Sequence, residues 1–290
     1  MNPFEHLDPR FKACVKDSAR LDHLYDQCRW AEGPAYFPAH RALIWSDIPN
    51  HRVLRYDEAS GNVTEFRNPS GYSNGHTIDP QGRLVSCEHG NRRVTRTEHD
   101  GSITVIADSY DGKRLNSPND VVVRSDGTVF FTDPSYGIDG FYEGFAAEPE
   151  QDVCHVFSVS PEGEIRVVAD SLDKPNGLAF SLDEQQLYIS DTGTKLMHVL
   201  DMETGTLREF AKCTVGGFDG FRLDEHGRIW TSAGDGVHVY DPDGTLLGKV
   251  HVPEGVANVA WGGYKRNRLY ICASTSLYAI LLPVRGAKTM

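Results

Sequence analysis

A unit of about 40 residues recurs six times along this chain, and no other feature restricts its fold as tightly. Five turns of one design mark the repeat: Asp57-Glu58-Ala59-Ser60-Gly61, Glu98-His99-Asp100-Gly101, Ser160-Pro161-Glu162-Gly163, Asp201-Met202-Glu203-Thr204-Gly205 and Asp241-Pro242-Asp243-Gly244. Each lies between two strand-like runs and ends in Gly, which accepts positive φ at no steric cost. Runs beginning at Ile44, Leu84, Val129, Leu187, Ile229 and Leu269 align as the second strand of each unit, at spacings of 40, 45, 58, 42 and 40. Short strands repeating at that period are the signature of propellers. The sequence therefore predicts an all-β, six-bladed propeller with four antiparallel strands per blade over residues 21–290, preceded by an arm over residues 1–20.

Pro9 and Arg10 argue against a strand within the arm. The sixth unit has a clear third strand, Ser276 to Leu282, but a weak fourth. An open ring would expose strand edges, so Leu21 to Arg29 is expected to supply the missing strand. The spacing of 58 adds roughly 15 residues between Asp133 and Val153, a segment carrying Tyr136, Phe141, Tyr142 and Phe145. A functional loop and a packed surface excursion both fit it.

The net charge of −12 removes the basic face that a nucleic-acid binder needs. No apolar stretch approaches the ~18 residues of a membrane span. The first residues, MNPFEHLDPRFKACV, lack the basic and apolar regions of a secretory signal, and a cytoplasmic location is the default expectation. Oligomeric state is not legible. The six cysteines have no C-x-x-C spacing and read as buried free thiols.

Each predicted innermost strand is preceded by an oxygen-bearing side chain: Glu32, Asn74, Asn119, Asn176, Asp219 and Asn258. Each lies 10 to 12 residues before the aligned second-strand position of its own unit. Innermost strands surround the central channel, so this shared register places six carboxyl or amide groups around one mouth. Singly, Asn74-Gly75, Asn176-Gly177 and Asp219-Gly220 could simply begin strands, and Asn119 could cap a turn. Glu32 has no such turn rationale. Two acids plus amide oxygens suit a hard divalent cation such as Ca²⁺, and the imidazole and thiolate sets of a dedicated zinc site are absent from the ring. His76 and His89 also sit near strand ends and could face the channel.

Trp30-Ala31-Glu32-Gly33-Pro34, Ser117-Pro118-Asn119-Asp120, Lys174-Pro175-Asn176-Gly177-Leu178-Ala179 and Phe218-Asp219-Gly220 resemble the metal-site motifs of the gluconolactonase family. That family includes regucalcin (senescence marker protein). The likeness extends through Asn74-Gly75-His76-Thr77, Cys87-Glu88-His89-Gly90-Asn91-Arg92-Arg93 and Thr132-Asp133-Pro134-Ser135-Tyr136-Gly137, and covers about residues 28–280. It implies a six-bladed propeller with one catalytic divalent cation, Ca²⁺ first, with Zn²⁺, Mg²⁺ or Mn²⁺ as alternatives. It further implies Glu32, Asn176 and Asp219 as ligands, and Asn119 as a ligand or a substrate-binding neighbour. Regucalcin-like members carry an Arg two residues before the equivalent of Asn119; here Ser117 stands there, so substrate recognition is expected to differ. Asn74, His76, Ser117, Tyr136 and Asn258 complete the candidate substrate contacts. The expected reaction is hydrolysis of a small sugar lactone, with Asp219 as general base. The alternatives are another lactone or an organophosphate at the same site, a calcium-binding propeller without catalysis, and a Ser-His-Asp hydrolase.

Overall fold

A computed structural model describes residues 2–288. Six sheets are arranged as blades with antiparallel pairing throughout, and within each blade consecutive strands are neighbours except for the two strands before residue 26. The innermost strands are Ala31–Phe37, Ser73–Ile78, Val121–Val123, Pro175–Phe180, Phe221–Leu223 and Val256–Gly262. The ring closes as expected. Leu21–Tyr25 pairs with Ser276–Leu281 and forms the outer strand of blade six, so the last blade is stitched from both ends of the chain.

The arm differs from the expectation of a strandless segment. Phe4–His6 pairs with Leu246–His251 as a fifth strand of blade five. The strand stops short of Pro9, which opens a 3-10 turn over Pro9–Ala13 with Asp8 as its cap. That turn drives Phe11 fully into the core beside Phe4, Val239 and Leu247. Phe4–His6, before the proline, is too short a run to show a strand pattern in sequence. Deleting residues 1–28 strips the outer strands from two blades and removes Phe11 from the core. We expect the truncated chain to melt roughly 10 °C lower or to aggregate, since losing one buried Phe costs about 3–5 kcal/mol. An unchanged thermal denaturation curve would contradict that role.

Apolar side chains fill the space between blades. One cluster joins Val85, Cys87 and Val94 of blade two to Val121, Phe131 and Phe157 of blade three. The next joins Phe130 and Val156 of blade three to Leu178, Leu187 and Ile189 of blade four. Consecutive residues Phe130 and Phe131 thus serve opposite neighbours, as strand alternation requires. Because second strands are buried on both faces, they read as continuous apolar runs rather than as alternating ones. The closing contact between blades six and one is aromatic, with Tyr36 and Tyr270 stacked at 5.8 Å between centroids and Trp45 fully buried nearby. All six cysteines are free; five are buried and Cys154 is half-buried. Among the described residues no helix is long and apolar enough to cross a membrane.

Candidate functional site

The chain enters three of the innermost strands through the same irregularity. Between Glu32 and Ala35, between Ser73 and His76, and between Pro175 and Leu178, two residues of the inner strand oppose one of the second. Each is a β-bulge, which re-aims a side chain at the end of a ladder. Asn74 and Asn176 lie in their bulges, and Glu32 borders its own. The Gly that follows each one has a packing reason. A Cβ at Gly33 would lie 1.9 Å from the Asn74 carbonyl oxygen, and one at Gly177 would lie 2.4 Å from that of Asp219. Adjacent blades therefore touch backbone to backbone at the mouth. The contacts are tied by hydroxyls: Ser46 donates to the Asn74 carbonyl (2.8 Å), Thr132 to Asn176 (2.7 Å) and Ser190 to Asp219 (2.7 Å). The dipeptides that could have been mere turns are the blade-to-blade contact itself.

A cavity of about 140 Å³ opens at this mouth. Glu32, Asn74, Asn119, Asn176 and Asp219 line it, from five different blades. Tyr136 and Glu143 reach in from the long segment of blade three, and Trp30 and Thr192 complete the wall. No basic side chain lines it. Arg222 of blade five pairs with Asp120 of blade three at 3.3 Å, and Lys174 lies 5.1 Å from the centre of the Tyr136 ring.

Hydrogen bonds decide which atoms remain for a ligand. Asn176 Nδ2 donates to the Thr192 hydroxyl (3.2 Å), which itself donates to the Phe218 carbonyl (2.6 Å). Asn74 Nδ2 donates to His89 Nε2 (3.3 Å). Both amides are thus held by their nitrogens, leaving the Oδ1 atoms for the pocket. Asp219 is anchored through its backbone, whose N–H donates to Ser232 Oγ (2.7 Å), and its carboxylate lines the pocket beside Asn176. Glu32 Oε2 accepts from the Gly33 N–H and from Asn258 Nδ2 (3.0 Å), leaving Oε1.

The acids are buried without a cationic partner, and their protonation shows it. Burial pushes the Glu32 carboxyl up to about 8. Burial, then the neighbouring Glu32 charge, pushes Asp219 well above the carboxylate range. Burial raises Glu143 to about 7. Burial, helped by the charge of Asp219, also raises Tyr136, so its phenol remains an O–H donor. Converging oxygen atoms with uncompensated negative charge fit a hard divalent cation. Glu32 Oε1, the Asp219 carboxylate and the amide oxygens of Asn176 and Asn119 could hold one.

The other sequence candidates lie elsewhere. Asn258 is spent on Glu32 and on the Val259 N–H. Ser117 is fully buried; its hydroxyl donates to the Pro134 carbonyl and accepts from the Gly137 N–H, pinning the start of the long segment. His76 is clamped between Ser46 and Ser86 at 2.8 Å on each ring nitrogen. Burial lowers its pKa to about 3, so the ring is neutral. It lines a second cavity of about 390 Å³, where the innermost strands end at Tyr36, Phe180 and Trp261. Gly71-Tyr72-Ser73-Asn74-Gly75 spells the pattern of a hydrolase nucleophile elbow. It leads into a strand rather than a helix, and the buried Ser73 hydroxyl donates to the Ser70 carbonyl (2.6 Å). Sequence reasoning missed Trp30, Glu143 and Thr192. Trp30 adjoins Glu32 and was within reach; Glu143 and Thr192 sit in connections with no periodic signal.

Fold and mouth together define a class: a six-bladed propeller whose channel entrance gathers carboxylates and pocket-facing amide oxygens from successive blades. The profile of the SMP-30/gluconolactonase/LRE-like region matches residues 30–275, and the chain belongs to that family. A gluconolactonase of Zymomonas mobilis is 30% identical, the alignment covering 94% of this chain and 84% of that protein. A pentonolactonase of Haloferax volcanii is 31% identical over 84% of this chain and 81% of that one. The solved structure of a gluconolactonase from Xanthomonas campestris superposes with a TM-score of 0.92 at 41% identity, covering 97% of this chain and 95% of that one.

Proposed function

We propose that this chain is a metal-dependent hydrolase that opens a small lactone, of the gluconolactonase type. The supporting observation is the meeting of Glu32 and Asp219 with asparagine oxygens in a single cavity free of basic side chains. The oxygen-only donor set favours Ca²⁺, with Mg²⁺, Mn²⁺ and Zn²⁺ as alternatives. When bound, such an ion supplies a Lewis acid that stabilises negative charge developing on the lactone carbonyl oxygen.

The protein groups do the rest. Glu32 Oε1, the Asp219 carboxylate and the amide oxygens of Asn176 and Asn119 would hold the ion, and Asn258 and the Gly33 N–H fix Glu32 in place. The Asp219 carboxylate takes the proton from the attacking water and returns it to the ring oxygen as the acyl C–O bond breaks, so the ester leaves as a hydroxy acid. Tyr136 donates its phenol hydrogen to a substrate oxygen. The small volume, below the few hundred Å³ of drug-sized pockets, suits a single ring.

The test is a panel of glucono-, xylono-, arabinono- and galactonolactones. EDTA-treated protein is assayed first, then after separate addition of Ca²⁺, Mg²⁺, Mn²⁺ and Zn²⁺. We expect EDTA to abolish hydrolysis and at least one ion to restore it. Hydrolysis indifferent to EDTA overturns the metal role. Tight ion binding with no turnover of any lactone overturns the enzyme in favour of a calcium-binding propeller.

A further inference from the structure

Glu143 is the one carboxylate of the pocket that does not come from the ring. The segment bearing it is clamped on both sides of that residue. Tyr142 OH donates to the Arg29 carbonyl (3.2 Å), and the Arg29 guanidinium lies 5.4 Å from the centre of the Tyr142 ring. Phe145 packs edge-on against Tyr72 at 5.2 Å, and its N–H donates to the Gly137 carbonyl (3.1 Å). Tyr142 thus docks beside blade one and Phe145 against blade two, with Glu143 bracketed over the mouth.

Behind Glu143 stands an unpaired donor. His89 is fully buried, and burial lowers its pKa to about 4, so the ring is neutral. Asn74 Nδ2 donates to Nε2, which leaves the ring proton on Nδ1. Nδ1 has no hydrogen bond of good geometry among the described residues; it faces Glu143, whose backbone partly offsets the effect of burial on the ring and whose Oε2 is 3.7 Å away. Among the described residues no lysine or arginine forms an ion pair with Glu143, and its carboxyl accepts no hydrogen bond from the protein. A carboxyl group half-withdrawn from water without such a return carries a cost that a ligand can offset.

We infer that Glu143 is the specificity residue of the site: its carboxyl accepts hydrogen bonds from substrate hydroxyls remote from the ester, so that the loop selects polyhydroxylated lactones over unsubstituted ones. The inference rests on the lactonase reading and narrows it to neutral polyol lactones. A site built to pair with hydroxyls discriminates strongly against a substrate lacking them. His89 acts through Glu143 as a positioning residue.

The test compares kcat/KM for δ-gluconolactone and for δ-valerolactone in the wild-type, Glu143→Ala and Glu143→Gln proteins, with the Kd for Ca²⁺ measured by calorimetry. The preference for the sugar lactone is expected to fall at least ~10-fold in Glu143→Ala, as loss of one hydrogen bond to a charged group implies, and less in Glu143→Gln, whose amide oxygen still accepts. The Kd for Ca²⁺ is expected to change less than twofold in Glu143→Gln. A constant preference among variants that turn over both lactones overturns the inference and leaves the lactonase reading intact. A Ca²⁺ Kd raised tenfold or more reassigns Glu143 as a ligand. A wild-type protein inert to both lactones removes the lactonase reading and the inference together.

Discussion

Asp219→Asn is expected to lower kcat/KM for a sugar lactone by roughly 10³-fold while making the EDTA-treated protein harder to melt. The first effect follows from replacing the base by an amide that cannot take a proton, a change worth about 10²–10⁴-fold. The second follows from the environment of the carboxyl. Burial and the Glu32 charge hold its proton on in the folded chain well above the usual carboxylate range. The folded state therefore binds more protons than the unfolded state across that interval. Stability is greatest at low pH and is lost as pH rises from the unfolded value toward the folded one. The amide has no such slope. The melting advantage of the variant over the wild type in EDTA should accordingly be larger at pH 8 than at pH 5. Saturating cation should shrink it, because only the wild type regains a counter-charge. Wild-type turnover in the variant, or an advantage that diminishes with pH, would count against the assignment of this carboxylate.

Gly33→Ala is the second large effect, and it attacks the ring through its backbone. The new Cβ would meet the Asn74 carbonyl oxygen at 1.9 Å, and the residue has a φ of +57°. A left-handed alanine costs about 1–2 kcal/mol and overpacking about 1–3 kcal/mol more. We expect denaturant titration to show a loss of about 2–5 kcal/mol from these two sources. Gly61→Ala is the control. Its φ is +75°, but its Cβ would meet nothing within 4 Å, so it bears the conformational cost alone and should leave activity intact. Because Glu32 and Asn74 flank the clash, Gly33→Ala should also weaken cation binding. A variant as stable and as active as Gly61→Ala would refute the close blade contact.

The ring was legible before any coordinates because it repeats in register with the strands. Glu32, Asn74, Asn119, Asn176 and Asp219 meet in one cavity as their shared offset implied. What the offset could not tell apart was Asn258, which holds Glu32 rather than facing the pocket. Ser117 and His76 lie beside ring residues in sequence, yet one turns to pin the loop and the other faces the second cavity. Side-chain direction at a bulge depends on the skipped pair, and no composition or period encodes it.

The sequence by itself determined the blade count, the closure by residues near the start of the chain, and the set of oxygen-bearing side chains at the channel mouth. All three follow from periodicity, which is local information repeated. The tertiary structure alone decided which amide oxygens face inward, that Glu143 comes down over the mouth, and that His89 stands behind it with a free donor. Those outcomes depend on contacts between blades far apart in the chain, where the partner of each hydrogen bond is chosen by packing and not by sequence spacing.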